Sequence, residues 1–302
     1  MRVLITGGSG LIGRALATDL ARNGNEVIIL SRRPERITGL PAEVRTERWD
    51  GRTTERWHPL VDGAGAIVNL AGENIGSGHW TDGRKRSMLQ SRLNAGQAVI
   101  QSIKAATNKP NVVIQASGTG YYGPCGNEEI PEEAPPGHGF LAQLAVDWES
   151  STVPLEELGV RRAIIRTGVV LSTKGGALPR MLLPFRFFAG GRLGNGRQWF
   201  PWIHITDEVR AIRFLIENKS ACGPFNLTAP FPLTNAASSR LLGQRLRRPS
   251  LMATPEFALR LFFGEMATVL LDGQRAIPKR LLELGFTFQF PEASLALKDL
   301  LR

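Results

Sequence analysis

The residues that most restrict the fold of this chain are Thr6-Gly-Gly-Ser-Gly-Leu-Ile-Gly13, set between an apolar run, Arg2–Thr6, and an amphipathic stretch, Leu11–Asn23. Two glycine spacings are satisfied at once, Gly8-x-Gly10-x-x-Gly13 and Gly7-x-x-Gly10-x-x-Gly13. Glycine here lets the chain turn sharply off a strand, brings bare backbone against a diphosphate, and allows helix and strand to pack closely. The helix then presents unpaired N–H groups and its positive dipole end to the anion. The loop predicts a dinucleotide-binding βαβ unit in which Gly7, Ser9, Gly10, Leu11, Ile12 and Gly13 touch the pyrophosphate.

The rest of the chain keeps that rhythm. Strands are expected at Glu26–Leu30, Val44–Trp49, Ala66–Asn69, Val112–Ser117 and Arg162–Arg166, each apolar on both sides of its pleat, as a sheet covered on two faces requires. Helices are expected at Leu11–Asn23, Arg84–Ala106 and Leu141–Leu158. Beyond Arg166 the order breaks at Gly175-Gly176, Pro179, Pro184 and Gly190-Gly191, a stretch whose irregularity suggests a functional loop. A strand at Pro224–Thr228 and a helix at Leu233–Arg247 resume it. At 302 residues the chain is longer than one core comfortably fills. The expected fold is α/β, a Rossmann-type doubly wound parallel sheet with a small C-terminal lobe. The dinucleotide-binding domain is expected over residues 1–170, with elements of about 200–247 returning to it, and 171–200 with 248–302 are expected to make a smaller substrate-side lobe.

The dinucleotide's identity is read one strand later. NAD-selective folds place an Asp or Glu about twenty residues past the loop to hold the ribose 2′-hydroxyl. Here the second strand runs into Ser31-Arg32-Arg33, where a hydroxyl and guanidinium groups suit a 2′-phosphate and a carboxylate would repel it. The expected cofactor is NADP(H). Asp50, after the third strand, is placed to accept from the adenine amino group, and Leu70-Ala71-Gly72, after the fourth, are small enough to pass beneath the adenine ribose.

Thirty-seven Lys and Arg against 27 Asp and Glu give a net charge of +10. The cations come in short groups with no nucleic-acid-binding signature beside them, so a phosphorylated cofactor explains them better than a nucleic acid does. Cys125 and Cys222 lie far apart, and the four histidines show no ligand spacing, so no disulfide or metal site is expected. No apolar run is long enough to span a bilayer. The expectations are a cytoplasmic protein, monomer or homodimer, whose partner is a small-molecule substrate, with no membrane and no nucleic acid.

Further blocks carry a resemblance over essentially the whole chain: Asn69-Leu-Ala-Gly-Glu-Asn-Ile75, Gly120-Tyr-Tyr-Gly123, Arg166-Thr-Gly-Val-Val-Leu171, Met181-Leu-Leu-Pro-Phe-Arg186, Trp202-Ile-His-Ile205 and Gly273-Gln-Arg-Ala-Ile-Pro278. With the glycine loop they resemble the extended short-chain dehydrogenases/reductases, the superfamily of nucleotide-sugar epimerases and dehydratases, and within it the atypical epimerase-family branch numbered 39U. The resemblance implies a C-terminal lobe closing over the cofactor, with contacts at Ser31, Arg32, Leu70, Ala71, Arg92 and Val170. Arg92 stands where typical extended members carry an Asn.

The same resemblance exposes a gap. Typical members use a Tyr-x-x-x-Lys pair on the helix after the fifth strand, the Lys tuning the phenol as acid or base. Those positions hold Leu141 and Ala145 here. The only tyrosines are Tyr121 and Tyr122. Ser117 and Tyr121 are therefore candidates to orient and protonate a carbonyl, with His204 as a third catalytic candidate on a loop over the substrate mouth. Glu73, near the nicotinamide end, and Arg186 are substrate candidates. Two functions fit: an NADP(H)-dependent oxidoreductase or nucleoside-sugar-type epimerase acting on a small polar carbonyl or hydroxyl compound, or a non-catalytic NADP(H)-binding regulator or scaffold of the kind linked to cell division.

Overall fold

The computed structural model describes residues 1–302, and its centre is a seven-stranded, all-parallel sheet. The strands are β1 (Arg2–Thr6), β2 (Glu26–Ser31), β3 (Val44–Arg48), β4 (Ala66–Asn69), β5 (Val112–Gly118), β7 (Arg161–Thr167) and β11 (Gly223–Leu227), in the spatial order β11-β7-β5-β4-β1-β2-β3. A short strand, β6 (Glu129–Ile130), lies off this sheet. The chain starts at β1, steps outward to β3 and returns on the other side of β1 as β4. Opposite departures from neighbouring strands leave a crevice at their carboxyl ends, the usual ligand position of doubly wound folds. Thr6 stands level with Leu30 on one side and Asn69 on the other, so the exits of β1, β2 and β4 meet there.

Period-two alternation assigns the faces. Val3, Ile5, Val27 and Ile29 point to α1 (Leu11–Arg22) and α5 (Ile205–Glu217), meeting Leu16, Leu20, Ile212 and Leu215. Leu4, Ile28 and Ile67 point the other way, onto Val99 and Ile103 of α2 (Asp82–Ala105). The expectation of two apolar faces fails at β3, where Arg45 and Arg48 are exposed and Val44, Thr46 and Glu47 are only half-buried. β3 ends the sheet, and charge on an edge strand discourages pairing with another chain.

Two helix boundaries also differ from expectation. α3 (Phe140–Ser150) stops short of Leu158, because Pro154 has no N–H to donate and disfavours a helical residue before it. The stretch expected as a helix from Leu233 opens instead with β12 (Leu233–Thr234), antiparallel to β9 (Trp199–Phe200), before α6 (Asn235–Leu246) begins. Thr234 Oγ1 accepts the Ala237 N–H at 3.3 Å and so caps α6.

The lobe has its own core of Leu178, Leu182 and Phe185 from α4 (Leu178–Arg186), Leu242 from α6, and Ala296 and Leu297 from α10 (Ala293–Leu300). It joins the sheet through β8 (Val169–Leu171), which pairs in parallel with β10 (Trp202–His204). The chain then forms α7 (Glu256–Phe263) and α8 (Thr268–Leu271), and β13 (Arg275–Ala276) pairs with β6. After α9 (Lys279–Glu283), Phe286 and Phe288 pack into the main core. Thus α6 feeds the lobe although its sequence position suggested the sheet, and part of the tail does the reverse.

Candidate functional site

At the crevice the backbone approaches itself more closely than side chains permit. Gly7 leaves β1 at φ +67°, and a Cβ there would stand 2.7 Å from the Leu70 carbonyl oxygen. A Cβ on Gly13 would lie 2.5 Å from Gly8 Cα. Thr6 Oγ1 donates to Asn69 Oδ1 at 2.6 Å and accepts the Ala71 N–H at 3.3 Å, tying the two strand exits together. Gly10 precedes α1 without any side-chain cap, so the first helical N–H groups remain for another acceptor.

The resulting cleft has a volume of about 360 Å³. Of the residues expected to hold the cofactor, Gly7, Gly10, Leu11, Ile12, Gly13, Leu70, Gly72 and Val170 line it. Asn74, Val169, Gly176 and Ala177 line it too and were not foreseen. The Gly175-Gly176 pair signalled a functional loop, but not that it would reach the first helix, where a Cβ on Gly176 would lie 3.0 Å from the Leu11 side chain. Ser9 is exposed in the loop, and Ala71 is tied to Thr6.

At the end of β2, Ser31 is buried and its Oγ accepts the Arg33 N–H at 3.2 Å. Arg32 and Arg33 are exposed, and neither is bonded to a carboxylate. A third guanidinium, missed in the sequence, reaches the same loop: Arg14 of α1 donates to the Thr38 carbonyl. Asp50 is committed to its own turn, accepting the N–H groups of Arg52 and Thr53 at 2.8 Å each. Slight burial opposes its ionisation, but these hydrogen bonds win and hold its carboxyl below the usual range.

Two side chains expected at the cofactor or substrate are otherwise engaged, and a third stands away from the cleft. Arg92 is buried, donates to the carbonyls of Met88 (2.9 Å) and Glu73 (3.2 Å), and stacks 4.5 Å from the Trp148 ring. Burial lowers its affinity for the proton, to about 10, against the pull of Glu73. It packs under Gly72, where a Cβ would meet its Cζ at 3.0 Å, and so braces the exit of β4. Glu73 pairs with Arg84 at 3.1 Å, which occupies the carboxylate proposed for substrate. Arg186 is exposed at the far end of α4, whereas Ala177, at the near end, lines the cleft. That placement corrects its assignment to the substrate.

His204 is corrected as well. It is 2 % exposed, its Nδ1 accepts the Thr206 N–H at 3.1 Å to cap α5, and its ring lies 3.9 Å from that of Phe290. Burial holds the imidazole below its ordinary pKa despite Asp207 and Asp299. In this structure the ring serves as a buried helix cap against Phe290 and does not line the cleft.

Beyond β4, the positions of the missing Tyr and Lys are filled by apolar packing: Leu141 lies 3.2 Å from a Cβ placed on Gly120, and Ala145 is buried. What replaces them is a buried polar network. Glu149 of α3 receives both Nε and Nη2 of Arg166 at 2.9 Å, and the Ser117 hydroxyl at 2.7 Å. Ser117, a catalytic candidate, therefore spends its proton on Glu149. Arg166 Nη1 donates to Tyr122 Oη at 3.0 Å, and Tyr122 donates on to Asn226 Oδ1 at 2.7 Å. Burial pushes the Tyr122 phenol up to about 12, against Arg166. Burial also works against the charge on Arg166, yet Glu149 and Tyr122 hold its proton more firmly than usual. Tyr121 lies flat over the same guanidinium, with Arg166 Cζ 3.5 Å from its ring centre and its hydroxyl free of protein partners. Ser117 and Tyr121 share this network without lining the cleft, and His204 belongs to neither. Arg166, Glu149 and Asn226 carried no signal as single residues, because only tertiary pairing makes them a unit.

Known proteins share this fold. Residues 3–227 match the family described as the NAD dependent epimerase/dehydratase family, and residues 254–300 match a domain of unknown function, DUF1731. Epimerase family protein YfhF of Bacillus subtilis is 37% identical over 304 residues, covering 100% of this chain and 98% of that protein. The structure of human epimerase family protein SDR39U1 with NADPH superposes with a TM-score of 0.87 at 35% identity, covering 99% of each chain. A nucleoside-diphosphate sugar epimerase from Corynebacterium glutamicum superposes at 0.79 and 33% identity, covering 100% of this chain and 58% of that one.

Proposed function

The chain belongs to the NAD dependent epimerase/dehydratase family, and from that premise we propose that it binds NADP(H) in preference to NAD(H) and acts as an oxidoreductase or sugar-type epimerase on a small polar carbonyl or hydroxyl compound. The observation that carries the cofactor reading is the exposed, unpaired Arg32 and Arg33 immediately past β2, beside Ser31 and where NAD-selective folds have a carboxylate. The related human protein was solved with NADPH, which supports it. The glycine cradle fits a diphosphate: its backbone leaves no room for a Cβ at Gly7 or Gly13, and α1 offers uncapped N–H groups. Arg14, Arg32 and Arg33 would then grip the 2′-phosphate.

A bound nicotinamide supplies a hydride donor or acceptor. The chain's own part is to exclude water with Leu11, Ile12, Val169, Val170 and Ala177, and to move a proton at the substrate oxygen. Tyr122 is excluded from that step, since its hydroxyl already donates to Asn226 and accepts from Arg166. Tyr121 Oη is the phenol left, positioned by the guanidinium beneath its ring.

A second reading, a cofactor-binding regulator without turnover, is favoured by Leu141 and Ala145 standing in place of the Tyr/Lys pair. Titration calorimetry with NADPH and NADH, followed by absorbance at the nicotinamide band across a panel of carbonyl compounds, separates them. Turnover that Tyr121→Phe abolishes without weakening NADPH supports the enzyme. Binding with no turnover on any compound leaves the regulator, and no heat with either dinucleotide defeats both.

A further inference from the structure

On the outer side of the lobe lies an apolar surface that no part of the chain covers. α4 starts at the cleft and runs about 13 Å to Phe187 and Phe188, which are 74% and 57% exposed. The segment after α6 is fastened beside them: Met252 N–H donates to the Gly190 carbonyl at 3.2 Å, Thr254 N–H to that of Arg192 at 2.9 Å. This brings in Leu251 and Met252, 88% and 58% exposed. α7 follows directly. Of its eight residues only Leu259 is buried, while Phe257, Leu261 and Phe262 are 71–77% exposed. So short a helix has little stability of its own in water, and amphipathic helices ordinarily turn such side chains inward. A run of exposed aromatics on this scale marks a contact surface.

The charge around it selects the partner. Residues 172–206 contain Lys174, Arg180, Arg186, Arg192 and Arg197 and no Asp or Glu; residues 235–255 contain Arg240, Arg245, Arg247 and Arg248 and again none. Arg248 stacks 4.1 Å from the Phe188 ring, so cation and apolar surface are in contact. The carboxylates at α7 are balanced by cations: Glu256 is paired with Arg260 at 2.8 Å, Asp272 lies close to the same arginine, and Glu265, just past the helix, is paired with Lys85. A second copy docked by two-fold symmetry would set two cationic rims face to face, which like charges oppose. A bilayer with anionic headgroups offers what both parts need: an acyl boundary for the aromatic side chains and phosphates for the guanidiniums.

We propose that the end of α4, residues 251–252 and α7 dock on the surface of an anionic lipid bilayer, with α4 running from that contact to the cleft. No helix of the chain is long and apolar enough to cross one, so the contact is peripheral. The sequence suggested no membrane partner because these side chains are scattered over some 80 positions and gather only in the fold.

The test is co-sedimentation of the full chain with vesicles of phosphatidylcholine alone and of phosphatidylcholine mixed with phosphatidylglycerol. Binding is expected to the mixed vesicles only, weakened by added salt. Phe187→Ser with Phe262→Ser should weaken it by about tenfold or more, and Arg186→Glu with Arg248→Glu by about tenfold, with unchanged thermal melting since all four side chains are exposed. Failure to sediment with the mixed vesicles overturns the proposal, as does sedimentation that neither pair of substitutions weakens. Light scattering that finds a dimer dissociated by the phenylalanine substitutions would give this face to a second copy instead.

Discussion

The two ends of the site are built from different materials. Around β1 and β4 the structure is made by backbone: glycines at Gly7 and Gly13 bring chain against chain, and the guanidiniums of Arg32 and Arg33 stand exposed at a strand end. Around β5, α3 and β7 it is made by side chains, with Arg166, Glu149, Ser117, Tyr122 and Asn226 joined in one buried network. A backbone cradle depends on local spacing and tolerates change elsewhere. A buried charge network depends on every member, because desolvated charge is stable only while paired. Removing one partner should therefore be far more damaging at the second end than at the first.

The largest effect follows directly. Arg166→Met leaves the Glu149 carboxylate buried and unpaired, and guanidinium unfolding should show a loss of about 3–5 kcal/mol. Adding Glu149→Leu should restore most of it, since replacing both members of a buried pair with apolar groups is often close to neutral. A single substitution costing under about 1 kcal/mol would show that the network behaves as a surface ion pair, and the contrast would fail.

The same contrast explains what could be read in advance. The strands around β1 and the glycine loop follow from local pattern, and Val170, named by family resemblance, lines the cleft together with Gly7, Gly10, Leu11, Ile12, Gly13, Leu70 and Gly72. Arg14 escaped notice because its role depends on where the loop at Thr38 comes to rest. His204, Glu73 and Arg92 look chemically available in a linear sequence and are each occupied in the fold, by a helix cap, an ion pair and backbone carbonyls. The Arg166–Glu149 pair joins residues 17 positions apart on different elements, and no periodicity encodes it.

At the cofactor end the expected losses are selective. Arg32→Asp should weaken NADPH by about a hundredfold, the scale of a lost charge-assisted hydrogen bond together with new repulsion, while NADH changes little. Calorimetry with both dinucleotides checks it, and equal losses would remove Arg32 from the 2′-phosphate. Gly7→Ala should come next, at about 1–3 kcal/mol of stability, because it sets a methyl against the Leu70 carbonyl at a positive φ. Chemical unfolding measures that cost, and a neutral result would mean the cradle relaxes more readily than its contacts imply.

The effect smallest over any one pH unit tests whether environment alone divides the glutamates around the buried network. Glu149 faces a guanidinium, whereas Glu208, fully buried on α5, has only the Thr167 hydroxyl donating to Oε1 at 2.9 Å and nothing on Oε2. Burial, opposed only by that hydroxyl, pushes the Glu208 carboxyl from 4.5 to about 8. The folded chain then holds a proton that the unfolded chain has released between these values. Its contribution is fully present below pH 4.5 and is lost as pH rises through about 8. From this group stability should decline by at most about 1.4 kcal/mol per pH unit across the window. Glu208→Gln, which keeps the shape and carries no titrating proton, should remove that part of the slope and make the variant the more stable form at the alkaline end. If parent and variant decline in parallel, Glu208 is ionised inside the fold, and a partner as weak as a threonine hydroxyl would then suffice where Glu149 uses an arginine.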